Sequence, residues 1–181
     1  MINNRHPTLL GIATRMATRA PMVEMTSALV TTAHGVSCDF RGRPGRRQVT
    51  VMTRECWDAS CEALGVESIP WTTRRANLLV DGVELAGMVG YDLCVGDVVL
   101  TITGETTPCH RMDEQFPGLS AALKPDWRGG VICRVTRPGK IAVGCQVSLT
   151  SNAARRVLWA SNFAARETVK AGLRGLFGKF K

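Results

Sequence analysis

Histidine and aromatic residues are scarce in this sequence: three His, one Tyr, five Phe and four Trp in 181 residues. No His-x-x-x-His and no Cys-x-x-Cys pair occurs, so the usual ligand spacings of a structural zinc site are missing. A flavin motif, an Fe-S cysteine run and a haem signature are also absent, as are the Walker and dinucleotide-binding glycine patterns. Nowhere do eighteen uncharged apolar residues run together, and no membrane-spanning helix is expected. The seven cysteines, at 38, 56, 61, 94, 109, 133 and 145, are odd in number and lack framework spacing. That usage suits a reducing cytoplasm rather than a secreted disulfide scaffold. Arg5, His6 and Pro7 ahead of a short apolar run, with Arg15 and Arg19 after it, make a poor secretory signal.

What is present is enough for one domain with a real core, since 45% of the residues are hydrophobic. The formal charge of +8 is unevenly spread. Residues 1–150 hold 16 Lys and Arg against 14 Asp and Glu, whereas 151–181 hold 7 against 1. The body is therefore almost neutral and the basicity lies in the tail. There, Ala165, Val169, Leu173, Leu176 and Phe180 share one helical face beside Arg166, Lys170, Arg174 and Lys181. A basic amphipathic helix suits an anionic membrane surface or a partner, although Gly172, Gly175 and Gly178 each weaken it by about 1 kcal/mol; a frayed extension or a helix packed on its own barrel is the plain alternative. Nucleic acid is a poor candidate partner, because the body is neutral and aromatics do not interleave with the arginines.

Along the chain, short β-branched runs alternate with turn residues. Strands are expected over 9–14, 27–33, 48–52, 78–85 with an Asp81-Gly82 turn, 98–103, 131–136 and 141–149, the last two as a closing hairpin. Thr53 is placed to cap a helix over 54–64, whose Trp57, Cys61 and Leu64 form one apolar stripe ending at Gly65. A second, short helix fits 119–123. The segment from Phe40 to Arg47, with two glycines, a proline and four arginines, suits an oxyanion; a solvated basic loop is the plain alternative. The strand after Asp97 feeds Gly104 and then Pro108, Cys109, His110 and Arg111. A thiol beside such side chains can attack electrophiles or bind a soft metal, against the plain reading of a half-buried structural cysteine.

Three separated motifs recur in one order: Arg-x-Asn-Leu-Leu-Val from Arg75, Val-Gly-Asp-Val-Val-Leu from Val95, and Thr-Gly-x-Thr-x-Pro-Cys from Thr103 to Cys109. In this the chain resembles the MOSC domain family over about 9–149, leaving 150–181 as a helical extension. The resemblance implies a mostly β, closed barrel-like fold with a few short helices. It further implies that the molybdenum cofactor is bound, with Cys109 as thiolate ligand to the metal, Arg75 on the phosphate or pterin and Asn77 as a polar orienter. Arg47, Arg74 and Thr53 complete the candidate cofactor-binding set, although an exposed charge is the simpler reading of Arg74. His110 and Asp113 are the nearest proton donors to Cys109 in sequence. Where relatives carry Gly-x-x-Gly-Asp, this chain has Cys38 at the second glycine. If that position needs positive φ, Cys38 costs roughly 1 kcal/mol.

Family members implied by this resemblance reduce N-hydroxylated compounds, and here the electrons would come from separate donor proteins. A second reading makes Cys109 a persulfide carrier for a pyridoxal-phosphate cysteine desulfurase, which the chain is too short to contain. A third is a non-catalytic barrel docked through its tail.

Overall fold

The computed structural model describes residues 6–151. The chain enters through β1 (Leu9–Thr14), buried along nearly its whole length, followed by three short strands, β2 (Val23–Met25), β3 (Ser27–Thr31) and β4 (Gly35–Val36). β5 (Val49–Thr53) runs straight into α1 (Arg54–Ala63), where the Thr53 hydroxyl accepts from the Cys56 amide at 3.2 Å. That bond satisfies one of the free N–H groups of the first helical turn. Trp57 and Cys61 face the core as the stripe predicts, and Gly65, at φ +69°, lets the chain turn away. A 3₁₀ turn (Trp71–Arg74) then leads to β6 (Leu78–Val80). β5 and β6 are parallel, which is why a helical crossover of this length lies between them. The crossover delivers Arg74 and Arg75 to the rim of the sheet.

The second half begins with β7 (Asp92–Val95) and the long β8 (Val98–Glu105). Two short helices follow, α2 (Arg111–Gln115) and α3 (Leu119–Ala122). The described residues end on β9 (Val131–Arg137), β10 (Gly139–Ala142) and β11 (Val147–Thr150). The large sheet has the order β11-β7-β8-β9-β5-β6-β1-β2, and β10-β3-β4 form a separate small sheet. Apolar residues of both sheets, among them Ile12, Val30, Val51, Leu100, Val135 and Ile141, close a core between them. The other face of the large sheet packs Met52 and Leu79 under α1, α2 and α3. Alternation along β6 divides its side chains between the two clusters, with Leu78 and Val80 in the first and Leu79 in the second. Each such side chain contributes roughly 1.5–3 kcal/mol on burial.

The fold is mostly β with a few short helices, but the closed barrel expected from the sequence is not formed. β2 covers the outer edge of β1, and β11 is the opposite end of the sheet. The two sides meet only along a seam among the described residues. It consists of an isolated bridge between Thr8 and Gln146, with Leu9 N to Cys145 O at 2.9 Å and Val147 N to Pro7 O at 2.8 Å. The closing hairpin is absent too: β9 pairs with β5 and β8, β10 with β3, and β11 with β7. The reason is local. Gly144 takes φ +93° and the Cys145 amide donates back to Ala142 O, so the run 141–149 breaks into two strands serving different sheets. The expected helical extension, from residue 152 on, lies outside the described residues. No helix among the described residues is long and apolar enough to cross a membrane.

Candidate functional site

Four segments converge on one cavity of about 170 Å³ at the rim of the large sheet. The exit of β1 brings Arg15, Thr18 and Arg19; the basic loop brings Arg41 and Arg47; the crossover brings Arg74 and Arg75; and the segment after β8 brings Thr107, Cys109, Arg111, Met112, Glu114 and Gln115. The basic loop is tied down at both ends. A Cβ on Gly42 would collide with His34 O, and the buried Gln48 amide donates to Thr32 O at 2.7 Å while accepting from the Val135 amide at 3.1 Å. Arg41 and Arg47 are thus carried on a fixed base.

Cys109 is exposed on the cavity wall, and its carbonyl accepts from Met112 N to start α2. Behind it, Arg74 is buried, overturning the reading of it as an exposed charge. Its Nε and Nη2 donate to Gly129 O at 3.0 and 2.7 Å, and Nη2 also reaches Thr106 O at 3.4 Å. Nη1 lies 3.6 Å from the Met112 sulfur. The guanidinium therefore fastens the segment leading to Cys109 against the Gly129-Gly130 turn. Neither glycine can carry a Cβ, which would come within 2.4 Å of Thr106 O at 129 and 2.3 Å of Val51 O at 130. Between these bonds the buried Thr106 hydroxyl finds no partner among the described residues.

Charge on the wall is one-sided: seven arginines and a single carboxylate, Glu114. Glu114 lies 3.7 Å from both Arg19 Nη2 and His110 Nε2. Arg41, Arg47 and Arg111 make no side-chain hydrogen bond or ion pair among the described residues. Burial pushes Arg74 down to about 10, with Arg47 adding repulsion and Cys109 acting the other way. Arg47 is lowered for the same reasons, burial first and then Arg41, and Cys109 again opposes. Burial also lowers Arg15 and Arg75; Asp39 opposes in both, while Arg41 and the other arginines add to the lowering. Such a site favours an anion, since uncompensated guanidinium groups bind oxyanions strongly.

Two of the five non-glycine residues with positive φ among the described residues lie on the wall. Arg19 at φ +65° and Arg75 at φ +62° line the cavity in the left-handed region, and Cys38 takes φ +64° just before Asp39. Each costs about 1 kcal/mol, and strained positions collect at functional sites. Cys38, standing where a glycine was expected, thus adopts the conformation glycine would favour.

Of the sequence candidates, Cys109, Arg47, Arg74 and Arg75 meet in this cavity. Asn77 does not line it: its Oδ1 accepts from Thr50 N at 3.0 Å and its Nδ2 donates to Ala13 O, stitching β5 to β1. Thr53 is occupied as the cap of α1. Asp113 accepts from Ser120 N at 2.9 Å and lies off the wall, while His110 is exposed and touches it through Glu114. Sequence reasoning missed Arg15, Arg19 and Glu114, and took Arg111 only as a neighbour of Cys109. For Glu114 there was a signal, its i,i+4 spacing from His110 on one helical turn.

A family model for the MOSC domain matches residues 31–148, most of the chain. This protein belongs to the MOSC domain family. No curated protein matches the chain. Among solved structures, this MOSC domain resembles YuaD from Bacillus subtilis with a TM-score of 0.71 at 20% identity, covering 82% of this chain and 97% of that one. It also resembles YiiM from Geobacillus stearothermophilus (TM-score 0.65, 15% identity, 80% and 75% covered). YiiM from Escherichia coli is a further likeness (TM-score 0.60, 14% identity, 81% and 71% covered). At these identities the likeness concerns the MOSC fold.

Proposed function

We propose that this MOSC protein binds the molybdenum cofactor through Cys109 and reduces N-hydroxylated compounds. The observation that carries the reading is the pairing of one accessible thiol with an arginine wall whose only carboxylate is Glu114. The donor set suits such a group. A single soft thiolate matches the metal, and no cluster of three His, Cys, Asp or Glu among the described residues competes for it. The guanidinium groups, Arg75 among them, match a phosphate. The cavity of about 170 Å³ is partly open to solvent and is below the roughly 300–1,000 Å³ of pockets that bury a whole organic ligand, so a bound cofactor would extend beyond it.

The cofactor, when bound, supplies two-electron chemistry at the N–O bond. An N-hydroxylamine takes up two electrons and two protons and leaves as an amine and water. The electrons come from separate donor proteins. Glu114, at the cavity wall and 3.7 Å from the exposed His110 imidazole, is placed to pass the protons from solvent. Arg74, through Thr106 O and Gly129 O, holds the segment that presents the thiol.

Molybdenum content and pterin fluorescence, measured on protein from a host that makes the cofactor, test the reading. About one metal and one pterin per chain are expected, both lost in Cys109→Ser while the variant still folds. A folded wild-type protein devoid of both sinks it. The exposure of Cys109 favours the second reading in that case, a persulfide carried for a desulfurase partner, which labile sulfur on Cys109 would reveal.

A further inference from the structure

Charge in this molecule is segregated. Residues 1–150 hold sixteen Lys and Arg and fourteen Asp and Glu, of which seven arginines and one carboxylate line the cavity. Nine basic and thirteen acidic residues remain, so a wall of formal charge +6 is set in a body whose remainder is −4. A field of one sign gathered at one mouth draws in partners of the opposite sign and orients them on approach.

The basic surface continues past the cavity. The basic loop carries Arg43 between the lining residues Arg41 and Arg47, and all three are exposed. Two exposed apolar side chains flank the cavity without lining it: Met16 (73% exposed), between the lining residues Arg15 and Thr18, and Phe40 (43%), next to Arg41. Their segments run side by side, since Phe40 N donates to Arg15 O at 2.8 Å and the Arg15 amide donates to Asp39 Oδ1 at 3.3 Å. Arginine, methionine and aromatic side chains are the types enriched where proteins meet, and a guanidinium takes a carboxylate through two parallel bonds. Other partners fit less well. A membrane surface calls for a broader apolar face than two side chains, and a nucleic-acid strand for several aromatic platforms, whereas Phe40 is the one aromatic residue in 15–20 and 39–47.

We propose that the face around the cavity mouth docks an acidic segment of a partner protein, with Arg41 and Arg43 taking its carboxylates and Met16 and Phe40 an apolar side chain between them. The proposal goes beyond the preceding reading and stands whether or not the cofactor loads.

Fluorescence anisotropy at low salt tests it on the full chain, prepared with and without the cofactor. The probe is a labelled oligoglutamate peptide with two central leucines, and its glutamine counterpart is the control. The glutamate peptide should bind with a dissociation constant on the order of 10–100 μM, and the glutamine peptide at least about tenfold more weakly. Arg43→Gln should weaken the glutamate peptide about threefold and Phe40→Ser about fivefold, with phosphate binding by calorimetry unchanged in both. The same charge change at Lys140, on β10, or at Lys170, in the tail, should alter it less than about twofold. Equal binding of the two peptides, or binding indifferent to Arg43→Gln and Phe40→Ser, overturns the proposal. Peptide displaced by inorganic phosphate and insensitive to those two variants sits in the cavity, which overturns it as well. Phosphatidylserine vesicles or single-stranded oligothymidylate that lose more than the peptide does in the same variants would assign the surface to another class of partner, with the same consequence.

Discussion

Arg74 carries a positive charge to a position only 5% exposed, where carbonyl oxygens and a thioether meet it in place of a carboxylate. The fall of its pKa from 12.5 to about 10 corresponds to a penalty of about 3 kcal/mol on the charged form, which nonetheless prevails at neutral pH. Its bonds to Thr106 O and Gly129 O are charge-assisted and together recover a comparable amount, about 1.5–3 kcal/mol each. Arg74→Met should therefore melt within about 5 °C of wild type in anion-poor buffer, losing bonds and penalty together. In phosphate the gap should widen, because only wild type retains the inner charge that draws the anion. Differential scanning calorimetry in the two buffers checks this, and a gap unchanged by phosphate would argue that Arg74 acts on the Cys109 segment alone.

Among the elements, α1 gives the sharpest test of a residue that the sequence offers for two roles. Thr53 was a candidate both as cap and as cofactor ligand, and its hydroxyl is engaged with Cys56 N. Thr53→Ala should lower the urea-unfolding free energy by about 1 kcal/mol while leaving molybdenum content unchanged. Elements defined by local chemistry were legible in this way. β1 coincides with its apolar run, α1 begins at its cap and ends before Gly65, and α3 sits after Phe116-Pro117-Gly118. Elements defined by their partners were not. Nothing local to 141–149 says that its first half belongs with β3 and its second with β7. The site divides along the same line. Cys109, Arg47 and Arg75 stand in recognisable motifs, whereas Arg15 and Arg19 reach the cavity only because β1 pairs beside β6. Asp113 and Glu114 are adjacent in sequence, and the turn of α2 decides which of them lines the wall.

On the scale of the whole molecule, the body is nearly neutral in sum but not in distribution, since seven arginines gather at one rim. Their mutual repulsion is a cost borne by the folded state, and an anion bound there relieves it. Inorganic phosphate at about a hundred times its dissociation constant should stabilise the cofactor-free protein by about 2.7 kcal/mol, or about 5–11 °C in melting temperature. Chloride at equal ionic strength should do much less, which separates specific binding from screening. A melting temperature indifferent to phosphate would show the arginine rim to be a solvated surface.

The seam that stands in place of barrel closure bears on how the molecule is made. Residues 7–9 find their partners at 144–147, and β7, near the middle of the chain, awaits β11. Contacts so distant in sequence raise the entropic barrier to folding, and the seam at the start of β1 closes late. During synthesis the domain cannot complete its large sheet until the last strand has left the ribosome. Until then the apolar edge of β1 relies on β2 and β6, and a nascent chain stalled before residue 147 exposes what the finished protein hides.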